Sequence, residues 1–153
     1  MSDDLLFLMG THEALIPQDR RYSRNHLWLK TINNEGGLVR VGLTAYSIRL
    51  LRDVYFLDWS TGPGFPIQNR QEIGQIESSK AVSGLFSPGE GEIVQINESA
   101  LADPSIINAD GYGDGWLFDF RTDERGMSPA EYVEHLGAAW EVAQRTIKKQ
   151  MTS

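Results

Sequence analysis

Ile73-Gly74-Gln75-Ile76-Glu77-Ser78-Ser79-Lys80-Ala81-Val82-Ser83-Gly84-Leu85-Phe86 is the stretch on which the fold turns. Ile73 and Ile76 precede a small or polar run, and Val82, Leu85 and Phe86 follow it. Two apolar segments joined by so short a polar link describe a β-hairpin with Lys80 near its tip. Ser79 and Ala81 leave that lysine free of bulky neighbours, so a modifying enzyme could reach the ammonium. Shape alone does not require this, because an exposed lysine at a turn is usually just a solvated charge.

Strand signals continue on both sides of the hairpin. Leu27-Trp28-Leu29 and Leu38-Val39-Arg40-Val41 are separated by the turn-forming cluster Asn33-Asn34-Glu35-Gly36-Gly37. Thr44 reads as the N-cap of a short helix through Ala45, Ile48 and Leu51, and Val54–Leu57 returns to strand. Thr61-Gly62-Pro63-Gly64-Phe65-Pro66 reads as a loop. Glu92–Ile96 and Gly115–Phe120 are further strands, with Ser99–Asn108 irregular or weakly helical between them. Ser128-Pro129-Ala130-Glu131 is a capping box with proline at the first helical position. Beyond it Val133, Leu136, Trp140, Ala143 and Ile147 recur on one helical face. Residues 1–22 read as an N-terminal extension whose Leu5-Leu6-Phe7-Leu8-Met9 forms a helical turn on the core, leaving 23–153 as the main domain. Many short strands with one internal and one terminal helix predict a mainly β sandwich or barrel.

Composition narrows the chemistry. At 153 residues, 41% hydrophobic and 23% charged, the chain reads as an ordinary soluble, cytoplasmic domain. No apolar run reaches the roughly 20 residues of a membrane span, and the formal net charge of -7 opposes a nucleic-acid partner. There is no cysteine, so any sulfur chemistry must be imported. A self-contained hydrolase is disfavoured, since no G-x-S-x-G turn accompanies His12, His26 or His135. No histidine spacing suggests a metal site. Gly111–Gly115 lacks the lysine and following helix of a phosphate loop and reads as a turn. His26 and the four tryptophans read as packed core residues.

Glu77-Ser78-Ser79-Lys80-Ala81 resembles the E-S-x-K-A sequence around the lipoylated lysine of glycine cleavage system H-proteins. The likeness extends over about residues 22 to 140. It includes Tyr22, His26 and Trp28, Val41-Gly42-Leu43-Thr44, Ser87-Pro88 with Gly91-Glu92, and Tyr112-Gly113-Asp114-Gly115-Trp116-Leu117-Phe118. Biotin carriers, by contrast, have methionines flanking the lysine. The resemblance implies a hybrid barrel-sandwich, a non-catalytic carrier and covalent lipoate on Lys80. A lipoate-protein ligase or lipoyl transferase would attach it, recognising Glu77 and Gly91, although Gly91 could equally serve only the bend. Asn25, His26, Leu27 and Gly84 would line the cleft that shelters the loaded arm.

Four positions depart from the H-protein pattern. The glutamate after the histidine and the aspartate four residues beyond the lysine, which help hold the cargo's amine, are Leu27 and Gly84 here. Arg52 stands where a family glycine usually precedes the aspartate, and Arg70 near a family glycine ten residues before the lysine. A cationic amine withdrawn from water needs a compensating charge or good acceptors. The departures therefore point to sulfur cargo, in the manner of the lipoate-binding proteins that occur beside heterodisulfide-reductase-like complexes and sulfur-transfer proteins. The alternative is a glycine cleavage H-protein serving glycine decarboxylase, aminomethyltransferase and dihydrolipoyl dehydrogenase.

Overall fold

The computed structural model describes residues 3–33 and 36–152, with side chains described to residue 145. The expected turn residues Asn34 and Glu35 and the Ile147 side chain of the helical stripe lie outside the described residues. Eleven strands and four helices are found among the rest, and the expectation of a mainly β fold holds.

Two sheets face each other across the principal core. The larger has six strands in the order β3-β4-β5-β11-β10-β7, namely Arg21–Tyr22, Leu27–Asn33, Leu38–Leu43, Phe118–Thr122, Gly91–Ile96 and Pro66–Ile67. The smaller is β6-β8-β9, from Val54–Trp59, Glu72–Ser78 and Val82–Phe86. Alternation along each strand sends one set of side chains inward. Leu57, Ile73, Ile76 and Leu85 of the small sheet thereby bury against Leu29, Val41, Ile93, Phe118 and Phe120 of the large one. At roughly 1.5–3 kcal/mol for each fully buried large side chain, this contact dominates the stability of the small sheet. It fixes which face of the hairpin turns outward.

A second cluster lies on the other side of Trp28. There Tyr22, Trp28 and Tyr46 pack with Tyr132 and Leu136 of the terminal helix α4 (Pro129–Thr152). All four tryptophans belong to one cluster or the other, as expected of core residues. The α4 stripe is likewise a packing face, through Val133, Leu136 and Trp140, and Ala139 joins them. Its capping box is formed: Ser128 N–H donates to Glu131 Oε1 at 3.0 Å and Glu131 N–H to Ser128 Oγ at 3.2 Å. Thr44 caps α1 (Ala45–Leu51) by accepting from Ser47 N–H at 3.3 Å.

Three local expectations are corrected. Leu5–Met9 is a strand, β1, paired antiparallel with β2 (His12–Ile16), and not a helical turn. Gly10, at φ +64°, opens the two-residue link, and such links match the twist of the strands they join. Met9, Ala14 and Ile16 are buried in the second cluster, a tertiary reward that a five-residue apolar run does not disclose. Of the two alternatives for Ser99–Asn108, irregular or weakly helical, the second holds: the stretch carries two short helices, α2 (Glu98–Ala102) and α3 (Ser105–Ala109). The strand expected from Gly115 begins at Phe118. Pro66, expected in a loop, pairs with Glu92; proline is tolerated there because β7 is an edge strand.

Candidate functional site

Lys80 stands exposed between β8 and β9, where the hairpin expectation places it. Ser78 organises the turn. Its hydroxyl accepts from Lys80 N–H at 3.3 Å and Ala81 N–H at 3.2 Å and donates to the Ala81 carbonyl at 3.1 Å. Ser78 N–H donates to the same carbonyl at 2.9 Å. Ser79 binds sideways instead, its N–H donating to the Asp53 carbonyl at 2.8 Å while Asp53 N–H donates to Ser79 Oγ at 3.2 Å. The backbone of the tip is therefore tied on two sides. The Lys80 ammonium has no ion-pair partner among the described residues.

Glu77 is half-buried one step below the tip, in register with Phe56 of β6 and Val82 of β9, both exposed. Beyond Val82, the outward positions of β9 are Gly84 and Phe86. Gly84 lies four residues from Lys80, about 13 Å along an extended strand. A groove of about 690 Å³ begins at Phe86, with Ser23, Asn25, Arg70, Ser87 and Met127 among its walls.

The four residues expected to share the arm's cleft are dispersed. Asn25 alone reaches the groove, its Nδ2 donating to the Phe86 carbonyl at 2.9 Å. His26 turns the other way, toward α1 and α4. Leu27 is 1% exposed and belongs to the principal core, so its side chain forms no wall of an open cleft. Gly84 lies on the outer face of the small sheet, and a Cβ there would stand 2.8 Å from Glu72 Oε1 and 2.8 Å from the Phe86 ring. Glu72 was not legible as a neighbour. It pairs with Phe86 across a bulge between β8 and β9, and bulges displace register by one residue. Gly91 sits in the large sheet, where a Cβ would meet the Arg121 carbonyl oxygen at 2.1 Å.

His26 is packed rather than poised as a base. Its Nδ1 lies 2.9 Å from the Tyr132 hydroxyl, which is 2.9 Å from Thr44 Oγ1. The Tyr46 and His135 rings lie 4.7 and 5.7 Å from it. Burial first, and the neighbouring His135 second, lower its pKa from 6.5 to about 4. A histidine that resists protonation when folded contributes stability above the unfolded pKa and loses it as pH falls from about 6.5 toward 4. Allowing for its partly exposed edge, the loss is roughly 2 kcal/mol. Urea midpoints at pH 7.5 and 5 should therefore converge for His26→Asn relative to wild type. Asparagine tolerates the φ of +68° at this position.

A β sandwich thus presents Lys80, exposed and without an ion-pair partner among the described residues, at the tip of a strapped hairpin. The family model for the glycine cleavage H-protein matches residues 20–149. A glycine cleavage system H protein of Rubrobacter xylanophilus is 40% identical over 125 residues, covering 80% of this chain and 96% of that one. That of Streptomyces coelicolor is 39% identical, covering 80% and 98%. A solved glycine cleavage system H protein from Mycobacterium marinum superposes with a TM-score of 0.71 at 33% identity, covering 80% of this chain and 99% of that one. The chain belongs to the glycine cleavage H-protein family and has its hybrid barrel-sandwich fold. Members are non-catalytic carriers with lipoamide on a lysine. The β1–β2 hairpin lies ahead of the matched residues. No helix among the described residues is long and apolar enough to cross a membrane.

Proposed function

We propose that Lys80 is the lipoylated residue and that its arm serves glycine cleavage. The arm would take up an aminomethyl group at glycine decarboxylase, give it up at aminomethyltransferase, and be reoxidised from the dithiol by dihydrolipoyl dehydrogenase. The residues fit the group. The lysine is exposed and unpaired, its neighbours are small, and an outward track of Val82, Gly84 and Phe86 leads to a groove. Bound lipoate supplies the thiol and disulfide chemistry that a cysteine-free chain lacks. The chain's own part is to hold the arm's root still, keep its reactive end at high effective concentration near a docked partner, and shelter the cargo.

The expectation of sulfur cargo finds no support in these comparisons, since the relatives matched are glycine cleavage proteins. Its physical premise was the loss of carboxylates at Leu27 and Gly84. One observation weakens that premise. The Glu72 carboxylate lies over Gly84, in space that any side chain at 84 would occupy. A negative charge therefore stands beside the arm's track, supplied from β8 instead of β9.

If Glu72 holds the cargo's ammonium, Glu72→Gln in the lipoylated protein should lower aminomethyl loading by glycine decarboxylase roughly tenfold, the scale of one charge-assisted hydrogen bond. Its thermal midpoint should not move, because Glu72 is exposed. Failure of lipoylated wild type to accept the aminomethyl group would overturn the glycine cleavage reading and return the sulfur one.

A further inference from the structure

The strap on the lysine turn has an anchor of its own. Asp53, which holds Ser79 through two hydrogen bonds, sits between Arg52 and Val54, and both neighbours are held by the side chain of Asn108 on α3. Asn108 Nδ2 donates to the Arg52 carbonyl at 2.5 Å, and its Oδ1 accepts from Val54 N–H at 2.8 Å. The arrangement is costly to keep without help. Arg52 ends α1 with φ +64° and ψ -130°, a region that residues with a Cβ rarely adopt. Val54 then starts β6 opposite Ser78. The path from α3 to the tip thus runs Asn108, Arg52–Val54, Ser79, Lys80, with a hydrogen bond at each step between segments.

From this juxtaposition we infer that Asn108 is a positioning residue for the acylation of Lys80: by fixing the strained Arg52–Val54 segment, it presets the turn that the attaching enzyme must grip. The inference rests on the proposal that Lys80 is the attachment site. In the acylation the lysine nitrogen attacks the carbonyl carbon of an activated lipoyl donor. The new C–N bond forms, the bond to the leaving group breaks with its electron pair, and the original ammonium gives up two protons. Asn108 touches none of these atoms. Its effect is on the fraction of molecules whose turn has the recognised shape, and lowering that fraction raises the apparent dissociation constant in proportion.

The test uses the full apo chain and a purified lipoate-protein ligase, with product followed by intact mass. Asn108→Ala should raise KM for the carrier roughly three- to tenfold, the scale of one or two lost hydrogen bonds, with kcat unchanged. Exchange of the Ser79 amide, protected by the Asp53 carbonyl, should accelerate while the core strands stay protected. Ser79→Ala should raise KM too, and adding Asn108→Ala to it should do little more, since both act on one path. If Asn108→Ala does not fold, Asn108→Asp, which keeps the acceptor for Val54 and loses the donor to Arg52, carries the same measurement. Wild-type KM in the folded Asn108 variant, or independent effects in the double variant, overturns the inference. Wild type that gains no mass overturns the assignment of Lys80 instead.

Discussion

Lys80→Arg should eliminate both the mass gained on incubation with a lipoate-attaching enzyme and all carrier activity, while leaving stability within about 0.5 kcal/mol of wild type. The guanidinium keeps the charge and approximate length of lysine, but it stays protonated in proteins and is no acyl acceptor. The side chain is exposed and has no ion-pair partner among the described residues, so little is lost from the fold. The chain has three other lysines, Lys30, Lys148 and Lys149. Lys30 is ion-paired with Asp19 at 3.3 Å on a strand of the large sheet, away from any turn that could enter an active site. Intact mass spectrometry before and after exposure to the ligase decides the matter. A lipoyl mass retained by Lys80→Arg would place the arm elsewhere and remove the basis of the proposed function.

Gly91→Ala should destabilise the protein by about 3 kcal/mol or more, read from urea unfolding, the range of overpacking against rigid neighbours. Gly91 pairs with Thr122 on one side and Ile67 on the other. A Cβ would enter to 2.1 Å from the Arg121 carbonyl oxygen and 2.9 Å from the Phe120 ring. Neither can yield cheaply: the carbonyl belongs to the neighbouring strand's backbone, and Phe120 is fully buried. The structure thus assigns Gly91 a steric duty, and the rate of lipoylation per folded molecule should match wild type. An unchanged urea midpoint combined with slow lipoylation would instead make it a recognition residue.

The features that were legible depend on groups close together in the chain. Thr44 caps α1 across three residues, and Ser128 and Glu131 satisfy each other across one helical turn. Such interactions need only local geometry, so the residue types announce them. The N-terminal hairpin was illegible for the opposite reason. An apolar pentapeptide suits strand or helix equally, and what selects strand here is burial of Met9 and Ile16 in the cluster that also holds Tyr132 and Leu136, more than a hundred residues away.

The candidate site divides along the same line. The sequence determined that one lysine, flanked by small residues, would stand at the end of a hairpin, because apolar spacing and a short polar link leave the chain few other ways to bury Ile76 and Leu85. Only the tertiary structure decided what surrounds it. Leu27 went into the core and His26 toward α4, though the two are adjacent, because Leu27 begins β4 while His26 precedes it with a left-handed φ of +68° that turns its side chain away. A bulge brought the Glu72 carboxylate over Gly84, and α3 delivered Asn108 to the strand end that holds Ser79. Those contacts join residues 12 to 56 apart, set by strand register in one case and by helix placement in the other, neither of which residue types announce.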